Sequence, residues 1–275
     1  VRLTVLSSGS KGNALVVEGG GVRVMVDAGL APRTMHARLR AVGLEVRGLS
    51  GLFITHGHTD HAYHAPAVAQ SLGMPTFASS PCATALAAAG QPLWAHQPLV
   101  PGDAVTLGSL VVRGFPTPHD APGSMGLVME DGDARLVVCT DLGVATEAVL
   151  EGARDATLLY VEFNHDVPML AAGPYPLVLK RRVASHLGHL SNQQGADLVA
   201  RSRTAATRHV VLAHLSEQNN TPDLALAAAR EVLDGSPVHV VAAPQRHPLP
   251  TILLDARTPR HVPGAAAPPP APPPP

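Results

Sequence analysis

Four side chains able to bind a metal, His56, His58, Asp60 and His61, fall within six residues, directly behind the short apolar run Gly51–Thr55. In extended backbone, side chains two apart point the same way, so His56 and His58 can grip one ion. Asp60 and His61 continue past it and can reach a second. Packed together with no cation, four such polar groups are costly. A chain that carries them must end a strand at a polar pocket and bring further ligands from elsewhere. Three candidates stand behind strand-like runs: His119 after Leu110–Phe115, Asp141 after Arg135–Cys139, and His214 after His209–Ala213. Strand ends hold such groups rigidly, and Asp141, as a carboxylate, can bridge two cations.

The surrounding pattern is α/β. Strands are predicted at Leu3–Leu6, Ala14–Glu18 and Val22–Val26, then at Gly51–Thr55, Leu110–Phe115, Met125–Glu130, Arg135–Cys139, Leu158–Phe163, His209–Ala213 and Val238–Val241. Helices fit Pro32–Val42, Ala65–Leu72, Cys82–Ala89, Leu177–Ser185, Asn192–Arg201 and Asp223–Leu233. No long linker interrupts this alternation, so residues 1–262 read as one domain. The last stretch, 263–275, has eight prolines in thirteen residues and is expected to be a disordered tail.

Composition narrows the function classes. At 45% hydrophobic residues and a net charge of −1, the chain is neither disordered as a whole nor globally basic. Any nucleic-acid partner must therefore be held by a local patch. No run approaches a membrane span, and no secretory signal is visible, so the expected location is cytoplasmic. Two cysteines, Cys82 and Cys139, cannot make a disulfide scaffold and read as core residues.

H-x-H-x-D-H behind a strand, followed by His, Asp and His at strand ends, resembles the metallo-β-lactamase-fold hydrolases. Asp27-Ala28-Gly29 matches their first motif. The segments Val5–Asn13, His119–Ala121, Thr140–Gly143, Glu162–Asp166, Gly173–Pro176 through Lys180–Arg182, Gly188–Asn192 and Ala213–Pro222 are similar to the YycJ/WalJ branch. Residues 74–110 carry no matching motif. The resemblance implies a four-layer αββα sandwich. It implies one divalent ion on His56, His58 and His119, a second on Asp60, His61 and His214, and Asp141 between them. It further implies a phosphodiesterase, with 5′-to-3′ DNA exonuclease action the expected activity, and DNA rather than RNA as the partner. Five histidines and two aspartates suit zinc, with manganese or iron as alternatives.

The expected chemistry is attack by a hydroxide activated by the two metals, with Asp60 and Asp141 in the catalytic set. The leaving oxygen needs a proton, and His189, in Gly188-His189-Leu190-Ser191 before a helix, is the candidate donor, as in the related tRNA-processing nucleases. Expected substrate contacts are Ser10, Lys11 and Asn13 in the Gly-rich segment, His165, and the compact basic cluster Lys180, Arg181 and Arg182. The aromatics Tyr63, Tyr160, Tyr175 and Trp94 are scattered along the chain, so no stacking platform is evident. Two alternatives stay open: a thioester or lactone hydrolase of the same fold, and a metal-stabilised regulatory module without catalysis.

Overall fold

The computed structural model describes residues 1–254. The proline-rich stretch 263–275, expected to be a tail, and the end of the 1–262 domain lie outside the described residues. The first sheet takes β1 (Arg2–Ser7), β2 (Ala14–Gly19), β3 (Val22–Val26), β4 (Leu49–Phe53), β5 (Thr76–Ala78) and β6 (His96–Pro98) in chain order. The second takes β7 (Ala104–Leu107), β8 (Leu110–Pro116), β9 (Met125–Asp131), β10 (Ala134–Cys139), β11 (Leu158–Glu162), β12 (His209–Ala213) and β13 (His239–Ala242). A final strand, β14 (Ile252–Leu253), returns to pair with β1.

Both sheets are mixed in the same manner. β1, β2 and β3 form an antiparallel meander, and β4, β5 and β6 add in parallel. β7 to β10 repeat the meander, and β11, β12 and β13 add in parallel.

Alternation along each strand then makes four layers. Leu3, Val5, Val24, Val26 and Phe53 of the first sheet meet Leu127, Leu136, Val138, Tyr160 and Val211 of the second in a core between the sheets. The intervening side chains Leu6, Val16, Met25, Leu52 and Ile54 face outward. There α1 (Pro32–Ala41), α2 (Thr59–Ala62), α3 (Ala65–Leu72) and α4 (Ser80–Ala88) cover them. On the far side Val137, Cys139, Leu159, Val161 and Val210 are covered by α5 (Glu147–Ala153), α8 (Asn192–Ser202) and α9 (Pro222–Leu233). Two short helices, α6 (Val167–Ala172) and α7 (Leu177–Val183), lie in the connection between β11 and α8. This is the expected αββα sandwich. Among the described residues no helix is long and apolar enough to cross a membrane.

The predicted strands and helices lie within a few residues of these elements. The additional ones are β5, β6, β7, β14, α2, α5 and α6. Most are too short, at two to four residues for β5, β6, β7, β14 and α2, to show periodicity. Capping sharpens the longer helices. Ser191 accepts from Gln194 N and the Gln194 side chain reaches back to Ser191 N, which starts α8. Thr221 caps α9.

One glycine ties this frame to the metal-capable run. Gly29 follows β3, and a Cβ there would lie 1.8 Å from the carbonyl oxygen of Asp60 and 2.9 Å from Asn13 N. The close approach lets Asn13 N donate to Asp60 O (2.7 Å) and Ala28 N donate to His61 O (2.6 Å). Gly29→Ala is expected to destabilise the protein by about 3 kcal/mol, read from the urea midpoint. Gly57→Ala, whose Cβ meets nothing nearer than Leu86 at 3.5 Å, is expected to leave that midpoint nearly unchanged.

Candidate metal centre

Strand direction gathers the site. β8, β10, β11 and β12 all run the same way, because β9 is antiparallel to both β8 and β10. Their C-terminal ends therefore share one rim, where Asp141, Glu162, His214 and, beyond β8, His119 emerge. β3 and β4 bring Asp27 and His56 to the same rim from the other sheet. Three residues just past strand ends there, Asp27, Asp141 and His214, have φ of 58°, 59° and 55°. Left-handed backbone costs a non-glycine residue of the order of 1 kcal/mol, and it turns each side chain inward at the rim.

Four overlapping groups of donors result among the described residues, two of which are Asp141, Glu162, His189 and His214, and His56, His61 and Asp141. The ligand atoms of His56, His58 and His119 lie within 4.8 Å of one another, and so do those of Asp60, His61 and His214. Asp141 stands between them. Its Oδ1 is 3.5 Å from His214 Nε2 and 3.9 Å from His119 Nε2, and its Oδ2 is 3.3 Å from His61 Nε2. His56 Nε2 and Asp141 Oδ2 are buried with no hydrogen-bond partner. Leaving such atoms unpaired in the interior costs several kcal/mol, and bound divalent cations would satisfy both. The donor set thus fits divalent metals.

Neighbours orient the rings. Asp27 accepts from His61 Nδ1 (2.7 Å), Thr55 N (2.9 Å) and Thr55 Oγ1 (2.9 Å), which directs His61 Nε2 to the centre. His119 Nδ1 donates to Gly188 O (3.0 Å). Glu162, fully buried, has the widest role. Its Oε2 accepts from Leu142 N and Leu190 N, both at 3.1 Å. Its Oε1 faces His189 Nδ1 at 2.7 Å and His214 Nδ1 at 3.2 Å. Ser8 Oγ accepts from His214 N (2.8 Å) and from the Tyr160 hydroxyl (2.6 Å), pinning His214 to the first sheet.

Without metal, protons balance the carboxylates. Burial pulls the His61 pKa down, but Asp141, Asp27 and Asp60 outweigh it and raise the value to about 9. His214 is raised well above its usual value against the same burial, chiefly by Asp141 and by hydrogen bonds to Asp60 and Glu162. His56, buried among four other imidazoles, is held well below it. Asp60 and Glu162 are lowered despite burial, Asp60 by His61 and His214, Glu162 by His189 and His214.

The structure brings all seven expected ligands together; of them His58, Asp60, Asp141 and His214 line a cleft of about 410 Å³, with His189, Ser10, Arg182 and Tyr175 also on its wall. Asn13 is buried in the cluster itself, Nδ2 2.8 Å from His61 Nε2, rather than on the substrate side. Other expected substrate contacts lie off that wall. Lys11 is paired with Glu217 (2.5 Å), Lys180 donates to Ala171 O (2.6 Å), and Arg181 is exposed. His165 is buried beneath α8, its carbonyl accepting from Asn192 N. Arg182 holds Asp120, whose Oδ1 is 3.3 Å from His58 Nε2. Asp27 and Glu162 are not among the site residues expected from the sequence. A carboxylate closing the wholly apolar strand run Leu158–Val161 was the available signal for Glu162.

The sequence profile of the metallo-beta-lactamase superfamily matches residues 8–175. An exodeoxyribonuclease YycJ of Bacillus anthracis is 32% identical over 236 residues, 85% of this chain and 89% of that protein. An exodeoxyribonuclease WalJ of Streptococcus pneumoniae is 30% identical over 228 residues, 82% and 85% of the two chains. Among solved structures, the metallo-beta-lactamase fold protein YhfI of Bacillus subtilis superposes with a TM-score of 0.67 at 16% identity, over 90% of this chain and 98% of its own. The two sheets, their shared rim and the profile match agree: the chain belongs to the metallo-β-lactamase superfamily and is a metal-dependent hydrolase.

Proposed function

We propose that the chain is a DNA phosphodiesterase, a 5′-to-3′ exonuclease, working with two divalent cations, zinc foremost. The observation that carries this reading is Asp141 between two groups of three donors, in a chain 30–32% identical to proteins named exodeoxyribonucleases. His56, His58 and His119 would hold one cation and Asp60, His61 and His214 the other, with Asp141 shared. When bound, such ions neutralise charge on a phosphoryl oxygen and lower the pKa of water. Acting on DNA, the protein would work in the cytoplasm.

The protein's own groups then bind, orient and move protons. Arg182 and Ser10, on the cleft wall, are placed to meet the phosphate backbone. Asp120 keeps the Arg182 guanidinium fixed through two hydrogen bonds (2.5 and 3.2 Å). The departing oxygen is a poor leaving group unless protonated. His189 donates Nδ1–H to Glu162, so its Nε2 is the nitrogen left to give a proton into the cleft. Glu162 holds the ring of His214 as well, so one buried carboxylate orients both the proton donor and a metal-holding ring.

Elemental analysis is expected to find two equivalents of metal in the wild type, and Asp141→Asn to lose metal from both positions. Loading should also release protons, since His61 (about 9) and His214 hold them in the metal-free protein. Metal affinity should therefore rise with pH from 6 to about 9. Calorimetry in buffers of different ionisation enthalpy measures this release, and none at pH 7 would contradict the ligand set. His189→Ala should keep its metal while DNA turnover falls about 10²–10⁴-fold. Bis-p-nitrophenyl phosphate, whose leaving group needs no proton, should suffer far less, and equal losses would assign His189 to positioning.

A further inference from the structure

Two of the aromatic residues scattered along the chain share one surface in the fold. Tyr63 and Trp94, far apart in sequence, line one groove of about 540 Å³ together with His64, Pro66, Pro92 and Leu93. Both are exposed, Tyr63 at 53% and Trp94 at 43%. The His64 ring stands edge-on to Tyr63, centroids 4.8 Å apart at 89°. Trp94 sits on a fixed turn. Thr76 Oγ1 of β5 donates to its carbonyl (2.5 Å), and Ala95 beyond it takes a left-handed φ of 43°. Among the described residues no carboxylate lines this groove, so nothing on its wall repels a phosphate backbone.

The groove and the catalytic cleft share no lining residue and stand at the two ends of α2. Thr59 and Asp60 line the cleft, and Tyr63 N donates to Thr59 O (3.2 Å) at the other end of that single turn. One turn advances the chain about 5.4 Å, so about one helical turn separates the two surfaces along α2. Exposed aromatic faces beside a phosphodiester site, without carboxylates, suit bases of any identity, because every base has a stacking face.

We infer that the Tyr63–Trp94 groove binds nucleobases of a single-stranded stretch of the DNA substrate by stacking, next to the nucleotide being cleaved. This rests on the phosphodiesterase reading and adds to it a base-holding site that is independent of the metals.

Trp94 is the chain's one tryptophan, so its emission reports on this groove. The probe is a phosphorothioate twelve-residue oligodeoxythymidylate, which resists cleavage, titrated into zinc-loaded full-length protein. Saturable quenching of Trp94 is expected, with none from an abasic backbone of the same length. Tyr63→Ala should weaken the quenching affinity about tenfold, and Tyr63→Phe, which keeps the stacking face, should retain it. If the protein cleaves bis-p-nitrophenyl phosphate but Trp94 does not respond to the oligonucleotide, the groove is not a base site and the phosphodiesterase reading stands. If quenching occurs and neither DNA nor the nitrophenyl ester is cleaved, the groove holds and that reading falls. Equal quenching by the abasic backbone would replace stacking by phosphate attraction and overturn the inference. So would a change in Trp94 emission on deleting residues 263–275 with no response to the oligonucleotide, which would assign the groove to the chain's own proline-rich end.

Discussion

Three carboxylates, Asp27, Asp141 and Glu162, are buried where the two sheets open, and the arrangement of that rim follows from the need to compensate them. A buried carboxylate without partners is costly by several kcal/mol. Asp27 is met by His61 and by the backbone and hydroxyl of Thr55. Glu162 is met by two backbone N–H groups and two imidazoles. Asp141 is surrounded by His61, His119, His189 and His214, yet one of its oxygens accepts no hydrogen bond. Compensation by imidazole rather than by arginine or lysine matters, because imidazole gives up its proton when a metal replaces it.

The sandwich makes this concentration of charge affordable. Its apolar core between the sheets and its two outer cores are continuous along the strands, so polar groups are confined to the strand ends. The left-handed residues Asp27, Asp141 and His214 show the cost being met locally. The loops are also tied to each other across the rim. Asn13, between β1 and β2, binds the backbone of Asp60 and the ring of His61. Ser8 joins Tyr160 of β11 to His214 behind β12. Movement of any one loop therefore disturbs several donors.

The surface around the cleft is divided in role. Arg182 on α7 faces the cleft while the neighbouring Lys180 satisfies a backbone carbonyl of α6, so the basic cluster is not one phosphate patch. On the other side of α2 the wall is aromatic and free of carboxylates. A strand passing over α2 would meet a charged, metal-capable surface on one side and a stacking surface on the other.

Much of the centre was legible in the sequence because its ligands follow strands. His56, His58, Asp60 and His61 fall within six residues, and His119, Asp141 and His214 each sit behind an apolar run, so local pattern alone singled out seven donors that the fold groups. The long strands and helices were legible for the same reason, since each buries a periodic face. Tertiary structure alone decided the rest. Asp27 and Glu162 orient rings more than twenty residues away, and no local spacing encodes such a partner. Lys11, lying in a glycine-rich loop that reads as a phosphate cradle, is drawn to Glu217. Strands as short as β5 and β6 exist only because a paired edge is offered to each, by β4 to β5 and by β5 to β6. That Tyr63 and Trp94 line one groove likewise depends on how α3 and the turn before β6 pack, because the neighbourhood of residues distant in the chain is set by the packing of layers, not by the residues beside them.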